Sequence, residues 1–202
     1  MRRATAIRRL YTLAEGCEQV RRFPVEKPVL IAAYATGDVL EAVPEIEFVH
    51  VVFVLDVPAS ELVWGTYPPE HTSWLEYQLR LDRTPVSYRL RPSAWPVWNQ
   101  HIRRPLKFWS LDGTETEALV ALSAGDAESY RLPAPSPEEE AAQLALELDA
   151  SRVYLRHVRD EYWKRGWRSQ HKGYGIYPEN HLWNAVDGYF DLLDAVGQRD
   201  GS

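Results

Sequence analysis

Proline is the residue that most constrains how this chain folds. Thirteen of the fourteen prolines lie between Pro24 and Pro137, and only Pro178 lies beyond them. Because proline interrupts the interior of helices and of central strands, the first part must consist of short elements separated by turns. The second part is open to long helices. We therefore predict an α+β fold, with a small mixed sheet flanked by helices over residues 1–132 and a C-terminal antiparallel helical hairpin, residues 133–202, packed on it.

Composition and charge exclude several classes of protein. The single cysteine, Cys17, excludes an internal disulfide and a multi-cysteine zinc site and fits a reducing compartment, so we expect a cytoplasmic protein. The longest apolar run, residues 48–55, is far shorter than the roughly 20 residues of a membrane span, so we expect no membrane partner. A net charge of −6 argues against general nucleic-acid binding, although a local basic face keeps that partner open.

Hydrophobic periodicity predicts the individual elements. Short apolar runs and strict alternation indicate strands, whereas apolar residues that recur every three or four positions indicate helices. After Pro137 the helical spacing continues to about residue 167, and a last helix begins at Pro178. In the first part, the predicted strands cover residues 29–35, 47–56, 86–91 and 106–109, and the predicted helices cover residues 3–22, 69–81 and 114–123.

The order of elements around residues 32–56 is informative. A strand ends at Gly37-Asp38, a short turn follows, and a second strand begins soon after it. With the amphipathic helix that precedes it, this order resembles the entrance of the nucleotidyltransferase fold, over residues 3–56 and more loosely to Arg91. The Trp-Pro-Val-Trp phrase at residues 95–98 and the His-Leu-Trp-Asn phrase at residues 181–184 also resemble an uncharacterised bacterial family.

The nucleotidyltransferase resemblance implies a degenerate active site. Members of that fold carry Gly-Ser after the first strand and an Asp-x-Asp pair on the next, because alternate carboxylates share one face and together hold Mg²⁺. Here Asp38 replaces the serine, and the corresponding strand positions fall within Phe48-Val49-His50-Val51-Val52, without the acidic pair. We therefore lean against enzymatic transfer, and we expect neither a metal ion nor a cofactor.

Some residues outside that motif offer acid–base chemistry. His50 lies six residues before Asp56, on the same side of an ideal strand, and His157 lies on the long predicted helix. Either histidine would suit a general base or a single-metal ligand in phosphodiester hydrolysis. The alternative is structural, with His50 hydrogen-bonded to backbone and Asp56 at the strand end. Six strand residues span about 20 Å, which argues against a direct pair.

Residues 83–107 combine basic and aromatic side chains and contain no acidic residue. Guanidinium groups beside flat rings suit phosphate binding with base stacking. The alternative is that these arginines are solvated or pair with residues 138–140, while the tryptophans pack against the C-terminal helices. The candidate anion- or nucleotide-binding residues are Gly37, Asp38, Arg89, Arg91, Arg103 and Arg104.

The resemblance also predicts how the strand of residues 86–91 is placed. We expect it beside the strand that contains His50, with Arg89 and Arg91 facing a mouth next to Asp38. Alternation then sends Tyr88 and Leu90 to the opposite face, where we expect them in the core.

Three functions are compatible with these features. The first is binding of a nucleotide or another phosphate-bearing small molecule by a nucleotidyltransferase-like domain that transfers nothing. The second is phosphodiester hydrolysis, metal-independent or with a single metal ion, through His50 or His157. The third is a Trp-rich interaction module that binds a protein partner or a second copy of itself, because aromatic residues and arginine concentrate at interface hot spots.

Overall fold

A mixed β-sheet with helices on both faces forms the centre of this computed structural model, which describes residues 1–22, 29–41, 43–81, 85–173 and 177–200. The predicted α+β class is confirmed. Within the described residues the sheet has five strands. They are β1 (Leu30–Thr36), β2 (Val49–Leu55), β3 (Val86–Pro92), β4 (Leu106–Ser110) and β5 (Gly113–Thr114).

The strand order is β3-β2-β1-β4-β5. β1 pairs antiparallel with both β2 and β4, whereas β3 runs parallel to β2 along the edge of the sheet. The prediction that residues 86–91 lie beside the strand containing His50 is therefore confirmed. In this register Thr36 lies opposite His50, and His50 lies opposite Ser87. The end of β1 thus meets the beginnings of β2 and β3 at one end of the sheet.

The first predicted helix has the bounds that its apolar periodicity indicated, whereas the long C-terminal helix does not. Its predicted continuation to residue 167 is wrong, because the chain becomes extended at Lys164 and a separate short helix follows. A turn separates the two helices, in which the Lys164 backbone N–H donates to the Glu161 carbonyl at 2.8 Å. The helices are α1 (Arg3–Arg22), α2 (Pro69–Leu79), α3 (Thr116–Ala124), α4 (Pro137–Glu161), α5 (Arg165–Gln170) and α6 (Pro178–Asp200).

Hydrophobic side chains cover both faces of the sheet. Val51 and Phe53 of β2 face a cluster shared with α1 and α3, whereas the alternate residue Val52 faces a second cluster with Leu144 of α4 and Leu192 of α6. The C-terminal helices therefore pack on the second face. A division into two domains at residue 132 stays a prediction.

α4 and α6 form the predicted antiparallel hairpin. At one end, Arg199 near the end of α6 donates to the Pro137 carbonyl and lies 3.5 Å from Glu140. At the other end, Tyr162 donates to Glu179 at the start of α6. No helix in the described part of the chain is long and apolar enough to cross a bilayer.

Cys17 should report the unfolding of the protein. Its side chain on α1 is fully buried, and burial raises the pKa of the thiol above its ordinary range. The thiolate is the reactive form, so the folded protein should react with Ellman's reagent only as fast as it unfolds. One equivalent should react at once in denaturant. Fast reaction of the native protein would contradict the packing of α1 on the sheet.

Candidate functional site

A cleft of about 400 Å³ lies where β1 ends and where β2 and β3 begin. We call it the Arg89 cleft. Its walls come from these strand ends, from two loops and from α6, so residues distant in the sequence meet in it. The lining residues are Thr36, Gly37, Asp38, His50, Val51, Val52, Trp64, Ser87, Arg89, His101, Ile102 and Asp191.

Gly37 shapes the floor of the Arg89 cleft. Its φ is +68°, in the left-handed region that favours glycine, and a Cβ built on it would lie 3.4 Å from Cδ2 of His50. This conformation lets β1 pass directly into a 3₁₀ turn over Gly37–Leu40. The tight turn brings Asp38 into the cleft together with His50.

Arg89 on the edge strand carries an exposed positive charge into the Arg89 cleft. Its Nη1 donates to the hydroxyl of Tyr67, which in turn donates to the Tyr88 carbonyl at 3.0 Å. Its Cζ atom lies 5.6 Å from the centroid of the Trp64 ring. Within the described residues no carboxylate forms an ion pair with it. The guanidinium is therefore held in place by neutral partners, and it has no ion-pair partner among the described residues.

His101 and Asp191 form a pair on the opposite wall. Oδ2 of Asp191 lies 3.1 Å from Nε2 of His101 and accepts a hydrogen bond of 2.5 Å from Nε1 of Trp64. The His101 and Trp64 rings are stacked, with centroids 5.2 Å apart and an angle of 11° between their planes. When the neutral imidazole donates from Nε2, its Nδ1 atom is left as an acceptor. The tautomer with its proton on Nε2 is the one that could donate to Asp191.

Glycines allow α6 to approach closely enough for this pair to form. Gly65, with φ of +76°, faces Gly188 of α6, and a Cβ on Gly188 would lie 2.1 Å from the Trp64 carbonyl oxygen. A helix backbone therefore lies directly against a loop backbone. Asp191, one turn further along α6, reaches Trp64 and His101 as a result.

The Arg89 cleft brings together four residues that the sequence singled out, namely Gly37, Asp38, His50 and Arg89. Leu90 is buried, as predicted. Tyr88 is half-buried and packs against the same core, and its burial, with its hydrogen bond to Glu76, raises the pKa of its hydroxyl.

The prediction that Arg91 faces the mouth of the cleft is wrong. Its side chain is 1% exposed and forms a bidentate pair with Glu147 of α4, at 2.7 and 2.6 Å. Arg91 also donates to the Pro96 carbonyl at 2.8 Å. The helix α4 covers this end of β3, so the guanidinium belongs to the interior between sheet and helix.

The remaining candidates lie outside the Arg89 cleft. Arg104 pairs with Glu128, and the exposed Arg103 is not part of the cleft lining. Asp56 follows the far end of β2, where its backbone N–H donates to Val29. Its separation from His50 agrees with the strand length expected from the sequence.

His157 lies in a different cavity of about 680 Å³ between α4, α5 and residues 59–61. Most of the side chains around it are apolar or aromatic, and they include Val153 and Trp167. His171 also lines this cavity, where its ring stacks on Trp167 at 4.1 Å and its Nδ1 atom lies 2.8 Å from the Trp167 carbonyl oxygen. The two candidate histidines, His50 and His157, therefore do not share a site.

Sequence reasoning missed three side chains that line the Arg89 cleft, namely Trp64, His101 and Asp191, and it missed Tyr67, which holds Arg89. His101 lies within residues 83–107, which were singled out for their basic and aromatic side chains. A histidine in a loop is not part of any hydrophobic periodicity, so the pattern did not indicate it. Asp191 lies next to Leu192 on α6, and Leu192 is buried. An acidic residue beside a buried position was the one feature of the sequence that pointed to Asp191.

Among the described residues, no group of three or more His, Cys, Asp and Glu side chains is arranged to hold a metal ion. The expectation that the protein needs neither metal nor cofactor stays a prediction. The nucleotidyltransferase resemblance also stays a prediction, since no curated protein and no solved structure matches the chain significantly. One family model, described as "Domain of unknown function (DUF7711)", matches residues 1–198 and so spans the sheet, the helices and every residue of the Arg89 cleft. The chain therefore belongs to the DUF7711 family.

Proposed function

We propose that the protein binds a phosphate-bearing small molecule, of the size of a mononucleotide, in the Arg89 cleft. The observation that carries the proposal is the exposed guanidinium of Arg89, which Tyr67 holds in the cleft and with which no described carboxylate forms an ion pair. A guanidinium presents several N–H donors in a plane and matches the oxygens of a phosphate. The anionic group of the ligand would bind at this wall.

The rest of the lining supports a ligand with hydrogen-bond donors at its other end. The cleft volume of about 400 Å³ falls within the usual range of small-molecule sites. The carboxylate of Asp38 is an acceptor, so it suits a hydroxyl or amino group, which a nucleotide carries on its sugar and base. A simple inorganic anion would offer this carboxylate no donor.

The strand arrangement supports binding without nucleotidyl transfer. On β2 the alternate residues His50 and Val52 both line the cleft. They lie within residues 48–52, the stretch in which the nucleotidyltransferase resemblance leads us to expect a pair of carboxylates. An imidazole and an isopropyl group do not make the bridging Mg²⁺ site that transfer needs. Direct contact with Arg89 would then take over the role of holding the phosphate.

Arg89→Ala should weaken ligand binding by roughly 10- to 100-fold, because a hydrogen bond to a charged group contributes about 1.5–3 kcal/mol. Isothermal titration with AMP, ATP and GTP, with and without Mg²⁺, measures this. Arg89→Lys should recover only part of the affinity, since an ammonium lacks the planar fork.

The matched control is Arg152→Ala, which removes an exposed arginine of α4 that lies outside the cleft and pairs with Asp149. Its affinity should equal that of the unmodified protein. No heat with any of the nucleotides would refute the proposed function, and so would equal affinities of Arg89→Ala and Arg152→Ala.

A further inference from the structure

The Arg89 cleft contains two imidazoles as well as the guanidinium. His50 lines it from the start of β2, and His101 lines it from the loop that precedes β4. The charged groups that line the cleft with them are Asp38, Arg89 and Asp191. Near neutral pH, histidine side chains exchange between a neutral and a protonated form, so two of them in one cleft can serve as a base and an acid.

We propose that the cleft hydrolyses phosphodiesters, with His101 as general base and His50 as general acid. This inference rests on the proposed function, because a phosphate ester must first bind at Arg89. A water oxygen attacks phosphorus and gives its proton to Nδ1 of His101, and the bond from phosphorus to the ester oxygen breaks. The leaving oxygen takes a proton from the His50 imidazolium, which yields an alcohol and a phosphomonoester. Exchange of one proton with solvent at each histidine resets the site.

The surroundings of His101 assign it the role of base. Asp191 lies 3.1 Å from Nε2, which leaves Nδ1 of the neutral ring as the acceptor. The carboxylate would also stabilise the imidazolium that forms when Nδ1 takes the proton. Trp64 stacks on the ring and donates to the same Asp191 oxygen, so the imidazole and the carboxylate are held together. Asp191 is thus a positioning residue.

His50 is left to act as the acid. Its ring packs against Gly37 and is only partly exposed, at the end of the sheet opposite the α6 wall. Within the described residues no carboxylate pairs with it. Arg89, two residues beyond Ser87 on the neighbouring strand β3, supplies the positive charge that stabilises the phosphoryl oxygens as negative charge builds on them.

Hydrolysis of bis(p-nitrophenyl) phosphate and of cyclic AMP in the presence of EDTA tests this inference on the full chain. The protein should release p-nitrophenolate and convert cyclic AMP to AMP. His101→Asn should lower kcat on both probes by about 10²- to 10⁴-fold, the usual contribution of a general base. His50→Asn should lower kcat by a similar factor on cyclic AMP, whose alkoxide leaving group needs a proton, and much less on bis(p-nitrophenyl) phosphate, because p-nitrophenolate leaves without one. His157→Asn is the matched control, since that histidine lies in the other cavity, and its kcat should be unchanged.

The test of Asp191 compares kcat with KM and with the affinity for AMP, so that a positioning role can be told from a purely structural one. Asp191→Asn should lower kcat while KM and the affinity for AMP stay close to those of the unmodified protein. Asp191→Glu, which restores a carboxylate, should recover part of kcat. A thermal melt of each variant, together with AMP titration, confirms that the cleft is folded.

The outcomes separate this inference from the proposed function. If the protein binds AMP but hydrolyses neither probe, the inference is overturned and the proposed function stands. If it neither binds AMP nor hydrolyses a probe, both fail. Full activity in His101→Asn on either probe, or in His50→Asn on cyclic AMP, also overturns the inference, as does activity that EDTA abolishes.

Discussion

Gly188→Ala should separate α6 from the Trp64 loop and remove ligand binding from the Arg89 cleft. The new methyl group would lie 2.1 Å from the Trp64 carbonyl oxygen and 3.0 Å from its carbonyl carbon, and these are backbone atoms that no side-chain rotation can move. Gly65 on the loop side already has a positive φ. Overpacking of this kind costs about 1–3 kcal/mol in the free energy of unfolding. Asp191 would move with the helix and lose its contacts to Trp64 and His101.

Urea denaturation and AMP titration measure these two effects. The matched control is Gly197→Ala, because Gly197 lies on the same helix and a Cβ built there meets nothing within 4 Å. Alanine is a better helix former than glycine by up to about 1 kcal/mol, so this variant should be at least as stable as the unmodified protein. Equal stability and equal AMP affinity of the two variants would contradict the close approach of helix and loop.

Glu147→Ala should lower the free energy of unfolding by about 3–5 kcal/mol, the usual loss when one partner of a buried ion pair is removed. Glu147 is 0% exposed and Arg91 is 1% exposed. Gln143 and Asn99 also donate to the Glu147 carboxylate, at 2.8 and 3.1 Å. Alanine would leave the Arg91 guanidinium buried without a counter-charge, and it would leave both amides without their acceptor.

Two further variants isolate the unpaired charge as the cause. The double variant Arg91→Met with Glu147→Leu should be more stable than Glu147→Ala alone, because it leaves no buried charge. Asp149→Ala breaks the exposed pair with Arg152 on the same helix and should change stability very little. Urea denaturation measures all three. A small loss for Glu147→Ala, equal to that of Asp149→Ala, would contradict the buried network.

Local patterns in the sequence predicted most of the elements and one important neighbour relation. The spacing of Ile7, Leu10, Ala14 and Cys17 predicted α1, because it follows the period of a helix that buries one face. The resemblance placed the strand of Arg89 beside that of His50, and this confirmed neighbour relation brings Arg89 into the cleft.

The other wall of the cleft could not be predicted because its contacts join residues far apart in the chain. No periodicity links His101 in a loop with Asp191 on α6. Arg91 was expected to face the mouth of the cleft, with solvation or pairing with residues 138–140 as the alternative, yet its partner is Glu147. Glu147 lies on the buried face of α4, between Leu144 and Ser151. The buried face was predicted from the spacing of apolar residues, and that method does not identify a charged residue on the same face.

The position of Asp191 on the last helix has a consequence for how the protein matures. During translation all strands of the described sheet leave the ribosome before α6, so a nascent chain exposes Arg89 and His50 without the Trp64–His101–Asp191 wall. A ligand that needs the complete cleft stabilises only the finished fold, by a free energy that rises with the logarithm of its concentration over its Kd. Under the proposed function, cellular ligand would therefore lower the fraction of molecules whose α6 is undocked, and with it the fraction that proteases can attack.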